Sequence, residues 1–276
     1  MTKKRLQGKV AMVTGASRGG GRGIALVLGE EGATVYVTGR STRGGQTTDG
    51  RRETVEETAE LVTARGGVGI PVRCDHTRDE EVEAAFERVR KEQGRLDILA
   101  NCVFGGSEDG LKDWGRPFWE RHPGNWEGMF GAGVRAYLMA ARYAAPLMLP
   151  NRRGLIINLT FWDHDKKLDS IYYDLAMNAN NRMAFDLAAE LKEHAIAAVA
   201  LVPGWMRTER VMDGNFSPEE MAGTESVEYV GRAAAALAAD PEVMKKTGQV
   251  LYVGDLAKEY GFTDIDGRWV PPYVLK

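Results

Sequence analysis

The sequence predicts an α/β fold: a single-domain, doubly wound parallel sheet of about seven strands with helices on both faces. Three observations carry that reading. Apolar runs of strand length alternate with longer amphipathic stretches along the chain, the pattern of β-α-β units whose strands are covered on both sides. A glycine-rich turn, Gly15-Ala-Ser-Arg-Gly-Gly-Gly21, follows directly on the first apolar run. The 276 residues show no compositional break, internal repeat or low-complexity segment, so one domain over residues 1–276 with a substantial core is expected.

The elements follow in order. Residues 10–13 form the first strand and 24–31 its helix, closed by Gly32. A second β-rich run, 34–38, leads through a polar, glycine-rich connection to a helix at 54–64, ended by Gly66 and Gly67. Residues 68–74 make a third strand. A helix at 79–93 carries Val82, Ala85, Phe86 and Val89 on one face, the spacing of an amphipathic helix. A fourth strand spans 96–101, and the least regular stretch is 105–124. Beyond it come a long helix at 125–149, a strand at 155–159 and a charged loop at 163–169. A helix at 170–194, a strand at 197–202 broken by Pro203-Gly204, a helix at 226–239 and a last strand at 249–253 complete the pattern.

Gly15, Gly19 and Gly21 fit Gly-x-x-x-Gly-x-Gly between a strand and a helix. A Cβ at such positions would block the tight turn and hold a pyrophosphate away from the backbone. The following helix offers unpaired N–H groups and a positive dipole end to that anion. A Rossmann-type dinucleotide site is therefore expected, with Ser17 and Arg18 inside its loop. Right-handed crossovers place the loop at the C-terminal edge of the sheet, where ligands of such folds bind. The strand ends to inspect are 39–41, 74–75, 101–104, 160–162 and 203–208.

An NAD site usually carries Asp or Glu at the end of the second strand. Here Arg40 and Ser41 stand there, and no acid follows until Asp49. Arg40 and Arg18 suit a 2′-phosphate through charge-assisted, fork-shaped hydrogen bonds, so NADP (NADPH) is the expected cofactor.

The formal net charge of -3, with basic residues spread among acidic ones, gives no nucleic-acid surface. No apolar run approaches a membrane span and no signal-type leader is evident, so no membrane partner and a cytoplasmic location are expected. Cys74 and Cys102 form neither a disulfide framework nor a C-x-x-C motif. The scattered histidines lack metal-ligand spacing, so no metal is expected.

Read together, these residues resemble the short-chain dehydrogenase/reductase family over nearly the whole chain. Thr14-Gly15-Ala-Ser-Arg-Gly19-Gly-Gly21 looks like its Thr-Gly-x-x-x-Gly-x-Gly loop, and Asp75 sits where its adenine-contacting acid follows the third strand. Asn101 ends a strand similar to the family's Asn-Asn-Ala-Gly strand end, with Cys102, Val103 and Phe104 replacing the last three residues. Pro203, Gly204 and Thr208 match Pro-Gly-x-x-x-Thr, whose threonine reaches the nicotinamide carboxamide. Leu187-Ala-Ala-Glu-Leu191 and Leu256-Ala-Lys-Glu-Tyr-Gly-Phe262 resemble a bacterial branch.

The resemblance implies an Asn, Ser, Tyr and Lys catalytic set, and this chain is degenerate there. Counting back from Leu187 puts the tyrosine at Tyr173, the lysine position at Met177 and the serine position at Thr160; the asparagine position is Gly131. Tyr172 precedes Ala176 at the same spacing and stays open, though the Leu187 register favours Tyr173. Tyr173 would donate a proton to the developing alkoxide while Thr160 holds the oxygen. Met177 can neither lower the tyrosine pKa by charge nor hold the ribose. Lys166, Lys167 and Arg182 are candidate substitute cations, and Asp163, His164 and Asp165 a candidate relocated site.

Phe104, Phe161, Trp162 and Trp205, with Trp114, Phe118, Trp119 and Met206, are expected at the pocket mouth, which suits a bulky apolar or aromatic carbonyl compound. Two functions compete: an NADP-dependent oxidoreductase with weakened or redirected catalysis, and a nucleotide-binding module without hydride transfer. By resemblance the long helices at 125–149 and 170–194 pair in a homodimer or homotetramer.

Overall fold

The computed structural model describes residues 4–107, 113–163, 166–168 and 170–275. Seven parallel strands lie in the order β3-β2-β1-β4-β5-β6-β7. They are β1 (Val10–Val13), β2 (Thr34–Gly39), β3 (Val68–Arg73), β4 (Ile98–Asn101), β5 (Gly154–Leu159), β6 (Ile196–Val202) and β7 (Val250–Tyr252). The order reverses between β1 and β4, which opens a crevice beyond their C-terminal ends. The connecting helices are α1 (Gly19–Glu30), α2 (Val55–Ala64), α3 (Asp79–Gln93), α4 (Gly124–Trp126), α5 (Ala136–Met148), α6 (Ile171–Leu191), α7 (Glu209–Met212), α8 (Pro218–Ala222), α9 (Val227–Ala239) and α10 (Val253–Tyr260).

Because successive strand residues point to opposite faces, each strand feeds two cores. Ala11, Val13, Val35 and Val37 pack with α1, α9 and α10. Val10, Met12, Tyr36 and Leu99 pack with α3, α5 and the end of α6. Helices α1 and α9 cross almost backbone to backbone, since a Cβ on Gly23 would lie 1.8 Å from the Val227 carbonyl oxygen.

Two expected elements come out differently. The first helix begins at Gly19 rather than at 24, because Gly20, Gly21 and Gly23 are buried helical residues, small for packing rather than for turning. The single long helix expected at 125–149 is α4, a π-helical stretch (Glu127–Arg135) and α5. Gly128, Gly131 and Gly133 weaken the α-helical register there. The backbone of Gly105 presses on the stretch, and a Cβ at Gly105 would meet the Gly128 carbonyl oxygen at 2.0 Å.

Candidate active site

A cleft of about 980 Å³ runs along the C-terminal edge of the sheet and joins the glycine loop to Tyr173. At its floor, Gly15 has φ +63°, and a Cβ there would lie 2.8 Å from the Cys102 carbonyl oxygen. A Cβ on Gly21 would meet the Gly15 carbonyl oxygen at 2.5 Å. Both positions require glycine for space, and Gly15 also for its left-handed backbone. Gly19, at φ +60°, has only the Thr208 methyl near its missing side chain, at 3.6 Å. Its N–H donates to the Glu209 carboxylate at 2.8 Å. An acid of the chain thus takes a loop amide at the start of α1, where backbone donors and the helix dipole favour negative charge.

Ser17, Arg18, Arg40, Ser41 and Asp75 all line the cleft. Arg18 donates to the Thr48 carbonyl at 3.3 Å and faces Asp49 at 3.4 Å. The Ser41 hydroxyl accepts from the Thr48 N–H at 3.0 Å, which folds the loop after β2 back onto its own start. Burial works to raise the Asp75 carboxyl, but hydrogen bonds from the Thr77 hydroxyl and N–H, aided by Arg40 and Arg73, hold it below its ordinary value. Asp75 is thereby kept as an acceptor.

At the other end, Tyr173 meets Phe104 and Trp114 edge-on, with ring centroids 6.1 and 5.6 Å away. Burial pushes its hydroxyl well above the ordinary phenol range, and no charged group among the described residues offsets it. Thr160 is buried and donates to the Met177 carbonyl at 3.0 Å. The Met177 side chain packs with Met129 and Ala176 in a small apolar cluster. A Cβ on Gly131, the expected asparagine position, would meet nothing within 4 Å.

The structure brings most of the expected residues together. Pro203, Gly204 and Thr208 line the cleft, as do Phe104, Phe161 and Trp205. Tyr173 lines it and Tyr172 does not, which is the arrangement the Leu187 register favours. Three expectations are corrected. Asn101 is fully buried off the cleft, because its amide donates to Asn158, its register partner on β5, at 3.0 Å. Trp162 is not on the cleft wall. Phe118 and Trp119 are exposed and meet edge-on, with ring centroids 5.2 Å apart, outside the cleft.

None of the substitute cations reaches Tyr173. Lys166 binds the Leu275 carbonyl, Lys167 acts on Asp174, and Arg182 pairs with Asp186 and covers the Phe185 ring. Of the acidic trio, His164 and Asp165 lie outside the described residues, and Asp163 accepts from the Leu275 N–H. Cys102 lines the cleft, but burial pushes its thiol far up, so it is no thiolate at neutral pH. No group of metal-ligating side chains occurs among the described residues, and none of their helices is long and apolar enough to cross a membrane.

Three contributors escape sequence reasoning. Tyr137 lines the cleft and donates to the Leu159 carbonyl at 2.9 Å. Glu209 and Arg210 sit on α7, a helix of four residues, too short to show periodicity. The signal that could have found them is their place directly after Thr208, at the last strand end inspected.

The comparisons with known proteins agree with this geometry. A family model described as short chain dehydrogenase matches residues 9–218. The mouse protein Dehydrogenase/reductase SDR family member 1 is 37% identical, over 97% of this chain and 87% of its own length. Its human counterpart is 35% identical, over 98% and 87%. A crystal structure from Xanthomonas campestris, of a protein classed as a dehydrogenase, superposes with a TM-score of 0.82 at 26% identity, covering 98% of this chain and 96% of that one. Since mammalian proteins match over nearly the whole length, the similarity does not single out a bacterial branch. The chain belongs to the short-chain dehydrogenase/reductase family of oxidoreductases.

Proposed function

We propose that the protein is an NADP(H)-dependent oxidoreductase that reduces the carbonyl of a bulky apolar or aromatic small molecule, at a rate lowered by Met177. The observation that carries this reading is the continuity of one cleft from the glycine loop to Tyr173. The residues fit the cofactor: Gly15 and Gly21 leave room for backbone and ligand but not for a Cβ, and Arg18 and Arg40 stand beside the loop where an NAD site would place an acid.

The loop amides and the α1 dipole would hold the pyrophosphate, Arg18 and Arg40 with Ser41 the 2′-phosphate, and Asp75 the adenine. Pro203, Gly204 and Thr208 would flank the nicotinamide end, which when bound supplies the hydride. Tyr173 gives a proton to the developing alkoxide. Its raised pKa keeps it a phenol at neutral pH, which suits reduction; alcohol oxidation needs a tyrosinate, which no lysine among the described residues stabilises. Phe104, Phe161 and Trp205 form an apolar wall with no dedicated anion clamp among the described residues. We also infer a homodimer or homotetramer, for which Leu138, Leu175 and Phe185 on α5 and α6 offer exposed apolar surface.

A second reading, a cofactor-binding protein without hydride transfer, is favoured by one observation: the Thr160 proton is directed to the Met177 carbonyl. A panel of aromatic and aliphatic ketones with NADPH separates the two. Turnover of the aromatic members, lost in Tyr173→Phe, supports the enzyme; NADPH binding without turnover at high protein concentration supports the second reading.

A further inference from the structure

We propose that Arg210 is a cofactor-discriminating residue, a further arm beside Arg18 and Arg40 in the receptor for the 2′-phosphate, whose place between Arg18 and Arg210 the Asp49 carboxylate takes in this structure. The inference rests on the NADP reading and extends it to a residue from across the cleft.

Arg18 belongs to the glycine loop and Arg210 to α7. One oxygen of Asp49, Oδ2, lies 3.4 Å from the Arg18 Nη2 and 2.5 Å from the Arg210 Nη2. Arg18 and Arg210 line the cleft together with Thr48, whose carbonyl accepts from Arg18. Asp49 sits at φ 60° and ψ 20°, a left-handed backbone that costs a non-glycine residue energy.

Charge decides which anion fits the two forks better. A carboxylate brings one negative charge to two guanidinium groups, whereas a phosphate monoester carries about −1.5 to −2 and three strong acceptor oxygens. Two arginine forks match the second more fully than the first. The 2′-hydroxyl of a non-phosphorylated cofactor offers no such exchange and leaves Asp49 in place.

Arg210 keeps its position when Asp49 leaves, because α7 has separate anchors. The Arg207 N–H, just before the helix, donates to the Glu225 carbonyl at 2.7 Å, and its guanidinium pairs with the buried Asp264 at 3.1 Å. Glu209 lies 3.7 Å from Arg22 on α1. These contacts hold α7 beside the glycine loop apart from the loop that carries Asp49.

Fluorescence titration of the full chain with NADPH and with NADH tests the assignment. Arg210→Ala is expected to raise the NADPH Kd about tenfold, the loss of one charged hydrogen-bonding arm, and to leave the NADH Kd within about twofold. Asp49→Asn, which removes the competing charge, is expected to lower the NADPH Kd and not the NADH Kd. Should Arg210→Ala shift both cofactors equally or neither, while Arg18→Ala or Arg40→Ala weakens NADPH selectively, Arg210 is not a discriminating residue and the NADP reading stands. Should none of these variants distinguish the two cofactors, the NADP reading fails and this inference with it.

Discussion

The Thr160 hydroxyl donates to the main-chain carbonyl of Met177 at 3.0 Å, and the Met177 sulfur lies 3.7 Å from the same oxygen. The group expected to hold a substrate oxygen is thus engaged by α6, and its β-branched side chain turns little about χ1. Thr160→Ser is expected to raise kcat for ketone reduction, since serine rotates more freely. Thr160→Val is expected to lower it at most about tenfold, the worth of one net hydrogen bond. Steady-state kinetics of the two variants check both directions.

Tyr173→Phe is expected to lower kcat by about 10² to 10⁴ while leaving the NADPH Kd unchanged. Burial keeps the Tyr173 hydroxyl protonated well past its ordinary value. The rate of ketone reduction is therefore expected to stay flat from about pH 6 to 9, and that of alcohol oxidation to rise over the same range. Rate profiles in the two directions provide the measurement.

Glycine spacing separates fold from site. Gly23→Ala drives a Cβ to 1.8 Å from the Val227 carbonyl oxygen and is expected to destabilise the protein by at least the about 1 to 3 kcal/mol typical of overpacking. Gly15→Ala meets the Cys102 carbonyl at 2.8 Å from a φ of +63°. It is expected to abolish cofactor binding. Chemical denaturation and cofactor titration read these separately.

Two buried groups set a pH dependence of stability with opposite signs. Burial raises the Glu225 carboxyl first of all, the Gly204 N–H opposes it, and Asp264 adds to the rise, bringing it from 4.5 to about 8. Its folded form binds the extra proton, so its contribution is present below 4.5 and lost as pH rises to about 8, by up to about 1.4 kcal/mol per pH unit. Burial lowers His76 from 6.5 to about 4, so stability is lost as pH falls through that window. The two slopes oppose each other below 6.5, and Glu225 acts alone above it. Thermal melts are expected to show Tm falling between about pH 6.5 and 8, and Glu225→Gln to remove the fall.

The fold was legible because its signals are local. Apolar strand runs and the Gly15, Gly19 and Gly21 spacing lie within single β-α units, and the parallel sheet of seven strands agrees with their count. The π-helical stretch was not legible, since it depends on Gly105 from a distant segment pressing on Gly128. The residues proposed to hold the cofactor lie at strand ends and could be counted out. Asn101 misled because a strand-end position does not say which way a side chain turns, and Asn158 on the neighbouring strand decides it. Tyr137 reaches the cleft only through tertiary packing, which no local pattern encodes, and Arg210 was marked only by its place just after Thr208.

The proposed chemistry turns on Met177, buried beside Thr160 where a cation would assist Tyr173. The most direct measurement is the rate of NADPH oxidation with an aromatic ketone, in the protein and in Met177→Lys, with Tyr173→Phe added to each. Expected is slow turnover that Met177→Lys raises by about tenfold or more, within the range general acid assistance supplies, and that Tyr173→Phe removes from both. NADPH binding in all four proteins with no turnover in any would contradict it.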